Sequence, residues 1–151
     1  MLYDSCVNRP SNPNMANWLK LLGSGTGRMD EALVPRVLRE LRFPKRSRMA
    51  VGDKVALYAL GHDRVFGIVE IFGRPYEIEG PNIWDRWQVE TRPVLWMGYA
   101  GAPRLRDITA DRNLQVSIRE HSHIRLTDDE YRLAVDALRA AGAKEDRFYR
   151  A

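Results

Sequence analysis

The sequence predicts an α+β domain in which helices flank a small, closed or nearly closed β-barrel. The first indication is residues 48–75, RMAVGDKVALYALGHDRVFGIVEIFGRP, which read as a hairpin with arms rich in Val, Ile, Phe and Tyr. Neither face of the first arm, residues 54–60, is clearly polar, and this indicates a strand that is covered on both sides. The second indication is a capped helix that follows the last strand-forming segment.

Three segments precede the hairpin. Residues 1–14 are predicted to be a flexible leader, because prolines lie among polar residues there. Residues 17–22, NWLKLL, predict a short strand with Trp18 and Lys20 on one face. Residues 30–41 predict a helix, because their apolar side chains recur at the spacing of one helical stripe.

Strand-forming sequence continues after the hairpin. Residues 83–97 are rich in strand formers, but Pro93 cannot donate a backbone hydrogen bond and is expected to break the ladder. Residues 105–108 predict a short helical turn, and residues 114–126 predict the last strand.

The final helix has clear signals at both ends. Thr127 is predicted to cap its N-terminus, and Glu130, three residues later, completes a capping box. Gly142 is expected to end the helix, and residues 143–151 form a charged tail. The predicted organisation is therefore one domain over residues 15–142 between a leader and a tail.

Composition narrows the classes of function. The chain of 151 residues is 44% hydrophobic and 29% charged, with a net charge of +4. Such values are ordinary for a soluble globular domain and permit an anionic partner such as nucleic acid. No apolar run approaches the ~20 residues of a membrane helix, and no signal peptide is recognisable. The single cysteine, Cys6, excludes a disulfide within the chain, so a cytoplasmic location is expected.

The chain lacks recognisable catalytic or cofactor motifs. His121 and His123 share one face of a predicted strand, but no third ligand lies at a metal-binding spacing, so no metal site is expected. Cys6 lies in the leader, away from any histidine, and no nucleophile elbow or dinucleotide fingerprint is present. These observations favour a binding module over an enzyme and predict no cofactor.

The densest positive charge precedes the hairpin. Lys45, Arg46 and Arg48 lie within RFPKRSR, at residues 42–48. Charge runs are usually solvated surface, but this position next to the hairpin favours a role in binding the phosphates of a nucleic acid.

Several of these pieces resemble the EVE domain, a branch of the PUA-like barrels that also contains the YTH and ASCH domains. The family typically reads Arg-x-Met-x-x-Gly-Asp, then an apolar strand with a Tyr, then Gly-Ile-Val-x-Ile, and closes with a Ser or His, an apolar residue, Ser/Thr, acidic residues and an aromatic. The matching residues are Arg48, Met49, Gly52, Asp53, Tyr58, Gly67, Ile68, Val69, Ile71, Ser122, His123, Leu126, Thr127, Asp128, Asp129, Glu130 and Tyr131.

The resemblance implies a PUA-like small β-barrel with flanking helices that recognises a modified nucleobase in DNA or RNA. An aromatic pocket would stack the base, polar groups would read its edge, and a basic rim would hold the phosphates. The expected residues are Trp18 and Tyr58 for stacking, Ser122 and His123 for the edge, and Lys45, Arg46 and Arg48 for phosphate. Two alternatives stay open: a general PUA-type RNA-binding module, and an ASCH-like hydrolase of nucleotides or RNA.

Overall fold

The computed structural model describes residues 15–23, 28–80, 83, 85–111 and 123–145. Over these ranges the chain is a mixed α+β protein. Its strands are β1 (Asn17–Leu22), β2 (Glu40–Phe43), β3 (Lys54–Ala59), β4 (Arg64–Ile71), β5 (Tyr76–Glu77), β6 (Trp87–Trp96), β7 (His123–Leu126) and β8 (Lys144–Glu145). Its α-helices are α1 (Val34–Val37) and α2 (Asp128–Ala140), and 3-10 turns cover Glu31–Leu33 and Leu105–Asp107.

The predicted hairpin is the centre of the sheet. The strand order is β2-β6-β4-β3-β1-β7, with β5 and β8 also paired to β6. Strands β3 and β4 are antiparallel, whereas β1 runs parallel to β3. The prediction of an antiparallel, central hairpin is therefore confirmed.

The sheet curls until its two edges approach each other. Phe43 lies on β2 and His123 on β7, at opposite ends of the strand order, yet their ring centroids are 5.3 Å apart. A flat sheet of six strands would hold these edges more than about 20 Å apart, because neighbouring strands are about 4.8 Å apart. The sheet is thus a curled half-barrel, which confirms the expected small barrel-like α+β architecture.

Both faces of the hairpin are buried. The inner, concave face carries Trp18 and Phe43 with side chains of β3, β4 and β6. The outer face carries Leu19 and Tyr58, and helix α2 packs on it through Val135 and Leu138. Val55 and Ala56, neighbours on β3 that point to opposite faces, are both fully buried. The prediction of a hairpin covered on both sides is confirmed.

The helix predicted for residues 30–41 is wrong over its last third, residues 38–41. Only a 3-10 turn and the single turn α1 form, and residues 40–43 are strand β2, paired with β6. The β6 residue Thr91 ends the helix, because its hydroxyl donates to the Leu38 carbonyl and its amide to the Arg39 carbonyl. Tertiary pairing here overrides the helical spacing of the apolar residues.

The predicted break of the ladder at Pro93 takes the form of a register shift and does not end the strand. Strand β6 runs unbroken through Pro93, which lies opposite Val69 of β4. The register of the two strands shifts between Ile68 and Val69 at this point. Such an irregularity lets the ladder tolerate a residue without an N–H, because one ladder bond is missing there in any case.

The later elements follow the prediction except in the tail, where Lys144–Glu145 form strand β8 and pair with β6. The turn at Leu105–Asp107 forms, and β7 covers the end of the predicted last strand. Residues 112–122 of that segment, the leader at 1–14 and residues 146–151 of the tail lie outside the described residues. Among the described helices, none is long and apolar enough to cross a bilayer.

The capping box of α2 is confirmed. The Glu130 amide donates to the Thr127 hydroxyl at 3.1 Å, and the Thr127 amide donates to the Glu130 carboxylate at 2.9 Å. Gly142 follows the helix with a φ of +89°, which a glycine adopts without strain.

Thr127→Ala is expected to lower the free energy of unfolding by about 1 kcal/mol, because it leaves an amide of the first turn without its acceptor. Thermal unfolding should show a melting temperature lower by roughly 2–4 °C for a domain of this size. Thr127→Ser keeps the hydroxyl and should match the parent. Equal melting temperatures for all three proteins would show that the cap contributes no stability.

Candidate nucleic-acid interface

Asp53 fixes the start of β1 against the turn before β3. Its carboxylate accepts hydrogen bonds from the Ala16 amide, the Ala50 amide and the Trp18 indole Nε1, each at 2.9 Å. Asp53 is only 2% exposed, so these bonds replace the water that a buried carboxylate loses. Gly52, with a φ of +96°, makes the turn that presents Asp53 to β1. The Gly-Asp pair thus orients Trp18.

Trp18 lies on the inner face between two side chains of β7. Its ring centroid is 5.5 Å from that of His123, and the Arg125 guanidinium lies 5.4 Å from the centre of its ring. Because Asp53 already accepts from its Nε1 and the side chain is 6% exposed, the polar atom of the indole is not available to a ligand. The structure therefore brings together Trp18 and His123, two of the residues predicted to contact the base.

Lys20 lies beside these rings as a buried cation. It is the direct cross-strand neighbour of His123, it is 5% exposed, and its Nζ is 4.3 Å from the centre of the Phe43 ring. Burial lowers the pKa of Lys20 from 10.5 to about 8, and the charge of Asp85 opposes part of this shift. Together, Trp18, Lys20, Phe43 and His123 form what we call the inner-face cluster.

Tyr58 does not join the inner-face cluster. Strand β1 pairs with β3 in a register that sets Trp18 opposite Val55 and Leu21 opposite Tyr58, so Trp18 and Tyr58 point to opposite faces of the sheet. The Tyr58 hydroxyl donates to Asp63 at 3.0 Å. Burial, then this bond to Asp63, raises the pKa of Tyr58. The expectation that Tyr58 shares one cavity with Trp18 and His123 is therefore wrong.

Ser122, the other predicted edge-reading residue, lies outside the described residues, as does His121. The role of Ser122 stays a prediction. In the described ranges, no group of three or more His, Cys, Asp or Glu side chains is arranged to hold a metal ion.

The basic loop, which we define as Lys45, Arg46 and Arg48, follows β2 directly. All three side chains are exposed, and none forms an ion pair with another described residue. The Arg46 guanidinium lies 5.7 Å from the centre of the Trp87 ring. An arginine over an aromatic ring keeps its N–H groups available for phosphate while the ring limits its motion.

A groove adjoins this loop. Its volume is about 760 Å³, and its walls are residues 44–46, residues 77–80, Ile83, Arg86 and Trp87. The groove and the inner-face cluster meet at β2, because Phe43 pairs with Trp87 and accepts a hydrogen bond from the Arg86 amide at 3.1 Å. Lys45 and Arg46 line the groove, whereas Arg48 does not.

Sequence reasoning missed Lys20, Phe43 and Trp87 as members of the site. The NWLKLL pattern did place Lys20 on the same strand face as Trp18, and a lysine on a face that carries a buried tryptophan was a usable signal. Phe43 had no such signal, because the helical spacing of residues 30–41 concealed a strand.

The fold is similar to those of solved structures with low sequence identity. A hypothetical protein from Leishmania major superposes with a TM-score of 0.56 at 16% identity, over 84% of this chain and 96% of its own. Rpa0253 from Rhodopseudomonas palustris gives 0.53 at 15% identity, over 83% of this chain and 94% of its own. No family model matches the chain, and no curated protein matches it either. The likeness therefore shows the fold alone.

Proposed function

We propose that this protein is a nucleic-acid-binding module of the EVE type, within the PUA-like barrels, that takes a modified nucleobase into the inner-face cluster. The observation that carries the proposal is the position of the basic loop. Exposed cations without acidic partners in the described chain lie two to five residues after Phe43, an aromatic residue of the cluster. Phosphates of a strand could therefore be bound on the loop while one of its bases reaches the rings.

The inner-face cluster has the chemistry that a base needs. Trp18 is 6% exposed and Phe43 1%, so a flat base would stack first on the partly exposed ring of His123, and such stacking contributes about 1–3 kcal/mol per base. His123 is only partly buried, so it marks the side of the cluster that is nearest to solvent. The imidazole of His123 and the predicted Ser122 would then read the base edge.

Replacing the whole basic loop tests the proposal. K45A/R46A/R48A is expected to weaken binding of oligonucleotides most strongly at low salt, because phosphate contacts act through counterion release. The slope of log affinity against log salt concentration should become shallower by about 2 to 3 for three lost contacts. Fluorescence anisotropy over a salt series measures both quantities.

The matched control removes the same charge elsewhere. R106A/R132A/K144A takes three exposed cations from the α2 side of the domain and should leave the salt slope unchanged. Equal salt slopes for the parent and the loop variant, with unchanged melting temperatures, would contradict the proposal. They would show that the basic loop is solvated surface without a role in binding.

A panel of DNA and RNA oligonucleotides with and without single base modifications separates the alternatives. Preference for one modified base supports the proposed function. Equal binding of modified and unmodified RNA favours a general PUA-type RNA-binding module, and cleavage of the probe favours an ASCH-like hydrolase.

A further inference from the structure

Lys20 is a buried cation whose interactions within the protein are incomplete. It is 5% exposed, and its ammonium forms neither a hydrogen bond nor an ion pair with any residue in the described ranges. The ring of Phe43, 4.3 Å from Nζ, gives only a weak substitute for water. An ammonium carries three donors, and no residue in the described ranges accepts from them, so Lys20 relies on the little solvent that reaches its 5% exposed side chain. An acceptor supplied from outside the chain would give those donors a partner.

We propose that Lys20 selects the ligand of the inner-face cluster by donating hydrogen bonds to an oxygen acceptor on a flat ring, most strongly to a carboxylate. The inference rests on the proposed function and names the class of base: one that carries a carbonyl or carboxylate substituent. A methyl or other apolar substituent would leave the ammonium as unsatisfied as it is without a ligand.

The charges around Lys20 favour an anionic substituent. His123 faces Lys20 from β7, and Arg125 adds a fixed positive charge over Trp18 on the same strand. Asp85 is the acidic residue whose charge acts on Lys20, and it lies outside ion-pair distance of Nζ. Asp53 is the other nearby carboxylate, and its oxygens are occupied by the Trp18 indole and two backbone amides, so a bound anion would gain attraction from the buried Lys20 and, less strongly, from the exposed Arg125.

The position of the groove fits a base held at Lys20. Phe43, which lies under the Lys20 ammonium, pairs with Trp87 of the groove wall, and the basic loop begins two residues after Phe43. A nucleotide whose ring reaches Lys20 therefore has its phosphates within a short distance of Lys45 and Arg46. Specificity and phosphate binding would reside in adjacent but separate residues, which makes them separable by mutation.

The test uses single-stranded oligonucleotides that differ at one central base: cytosine, 5-methylcytosine, 5-formylcytosine and 5-carboxylcytosine. For the parent, affinity should rise from the methyl to the formyl to the carboxyl form, with at least about tenfold between the first and last, as expected for a charge-assisted hydrogen bond. Lys20→Met keeps the length of the side chain and removes its donors, so it should bind all four probes within about twofold of one another.

Two controls isolate the role of Lys20. Lys144→Met removes an exposed cation on β8 and should keep the parent's order of affinities. Raising the pH above about 8 should weaken binding of the carboxyl probe to the parent, because Lys20 loses its proton, and should spare Lys20→Met.

A second assay keeps failure of the inference distinct from failure of the proposed function. Orotate, a free flat ring with a carboxylate, is titrated into parent and Lys20→Met while tryptophan fluorescence is recorded. Orotate binding that requires Lys20, without oligonucleotide binding, would support the inference and overturn the nucleic-acid function. Oligonucleotide binding with the same order of affinities in both proteins would overturn the inference alone, and no binding of either probe class would overturn both.

Discussion

Asp53→Ala is expected to lower the free energy of unfolding by about 3 to 5 kcal/mol, among the largest effects of any polar substitution in this protein. The change removes the acceptor of three donors, the amides of Ala16 and Ala50 and the Trp18 indole N–H. Each buried donor without a partner costs about 1–3 kcal/mol. The Trp18 ring would also lose its fixed orientation, so any ligand that stacks on it should bind more weakly.

Asp53→Asn gives the graded comparison. An amide has nearly the shape of the carboxylate but only one acceptor oxygen, so it can keep the bonds on one side and must place a donor against the other. Its loss of stability should therefore lie between that of Asp53→Ala and zero. Urea unfolding followed by tryptophan fluorescence measures all three proteins. A loss below about 1 kcal/mol for Asp53→Ala would show that water replaces the carboxylate and that Trp18 does not depend on Asp53.

Lys20→Met should have the opposite effect and stabilise the domain by about 3 kcal/mol at pH 7. The pKa of Lys20 falls from 10.5 to about 8 on folding, and each pKa unit corresponds to about 1.4 kcal/mol. Below pH 8 the lysine is charged in both states, and the folded protein bears the full cost of desolvation. Between pH 8 and 10.5 the unfolded chain holds a proton that the folded protein has released, so the stability of the parent rises with pH.

The free energies of unfolding of Lys20→Met and the parent should accordingly differ most at pH 7. This difference should disappear as the pH approaches 10.5. At pH 7 the melting temperature should rise by roughly 6–12 °C for a domain of this size. Lys144→Met, which changes an exposed side chain, should follow the parent at every pH. A Lys20→Met protein less stable than the parent at pH 7 would mean that the ammonium has a stabilising partner in the folded protein.

The sequence predicted those elements that are determined by residues close together in the chain. The hairpin, β1 and the cap of α2 could be predicted, because alternation, β-branched residues and a Thr-x-x-Glu spacing act within a few residues. Strand β2 could not be predicted, because the helix before it ends where Thr91 donates hydrogen bonds to the carbonyls of Leu38 and Arg39. Thr91 is some fifty residues away in the sequence. Pro93 predicted an irregular ladder, but only the pairing with β4 shows that the strand continues through it, with Val94 of β6 as the extra residue opposite the step from Ile68 to Val69.

The candidate site shows the same limit. The expectation that Trp18 and His123 meet was right, since they lie on paired strands with matching faces. The expectation for Tyr58 was wrong because of the register between β1 and β3. Trp18 lies opposite Val55, three residues before Tyr58, so Tyr58 points to the other face of the sheet. Lys20 shares a predicted strand face with Trp18, but only the curl of the sheet, which brings the Phe43 ring to 4.3 Å from Nζ, completes its burial.

The parallel pairing of β1 with β3, and its antiparallel pairing with β7, has a consequence for how the protein is made. Lys20 leaves the ribosome early, Phe43 soon after, and His123 only when most of the chain has been translated. The inner-face cluster therefore assembles late, from three strands far apart in the order of synthesis. A nascent chain that has folded its central hairpin already has a core, but the ring of His123 has yet to join Trp18 and Lys20.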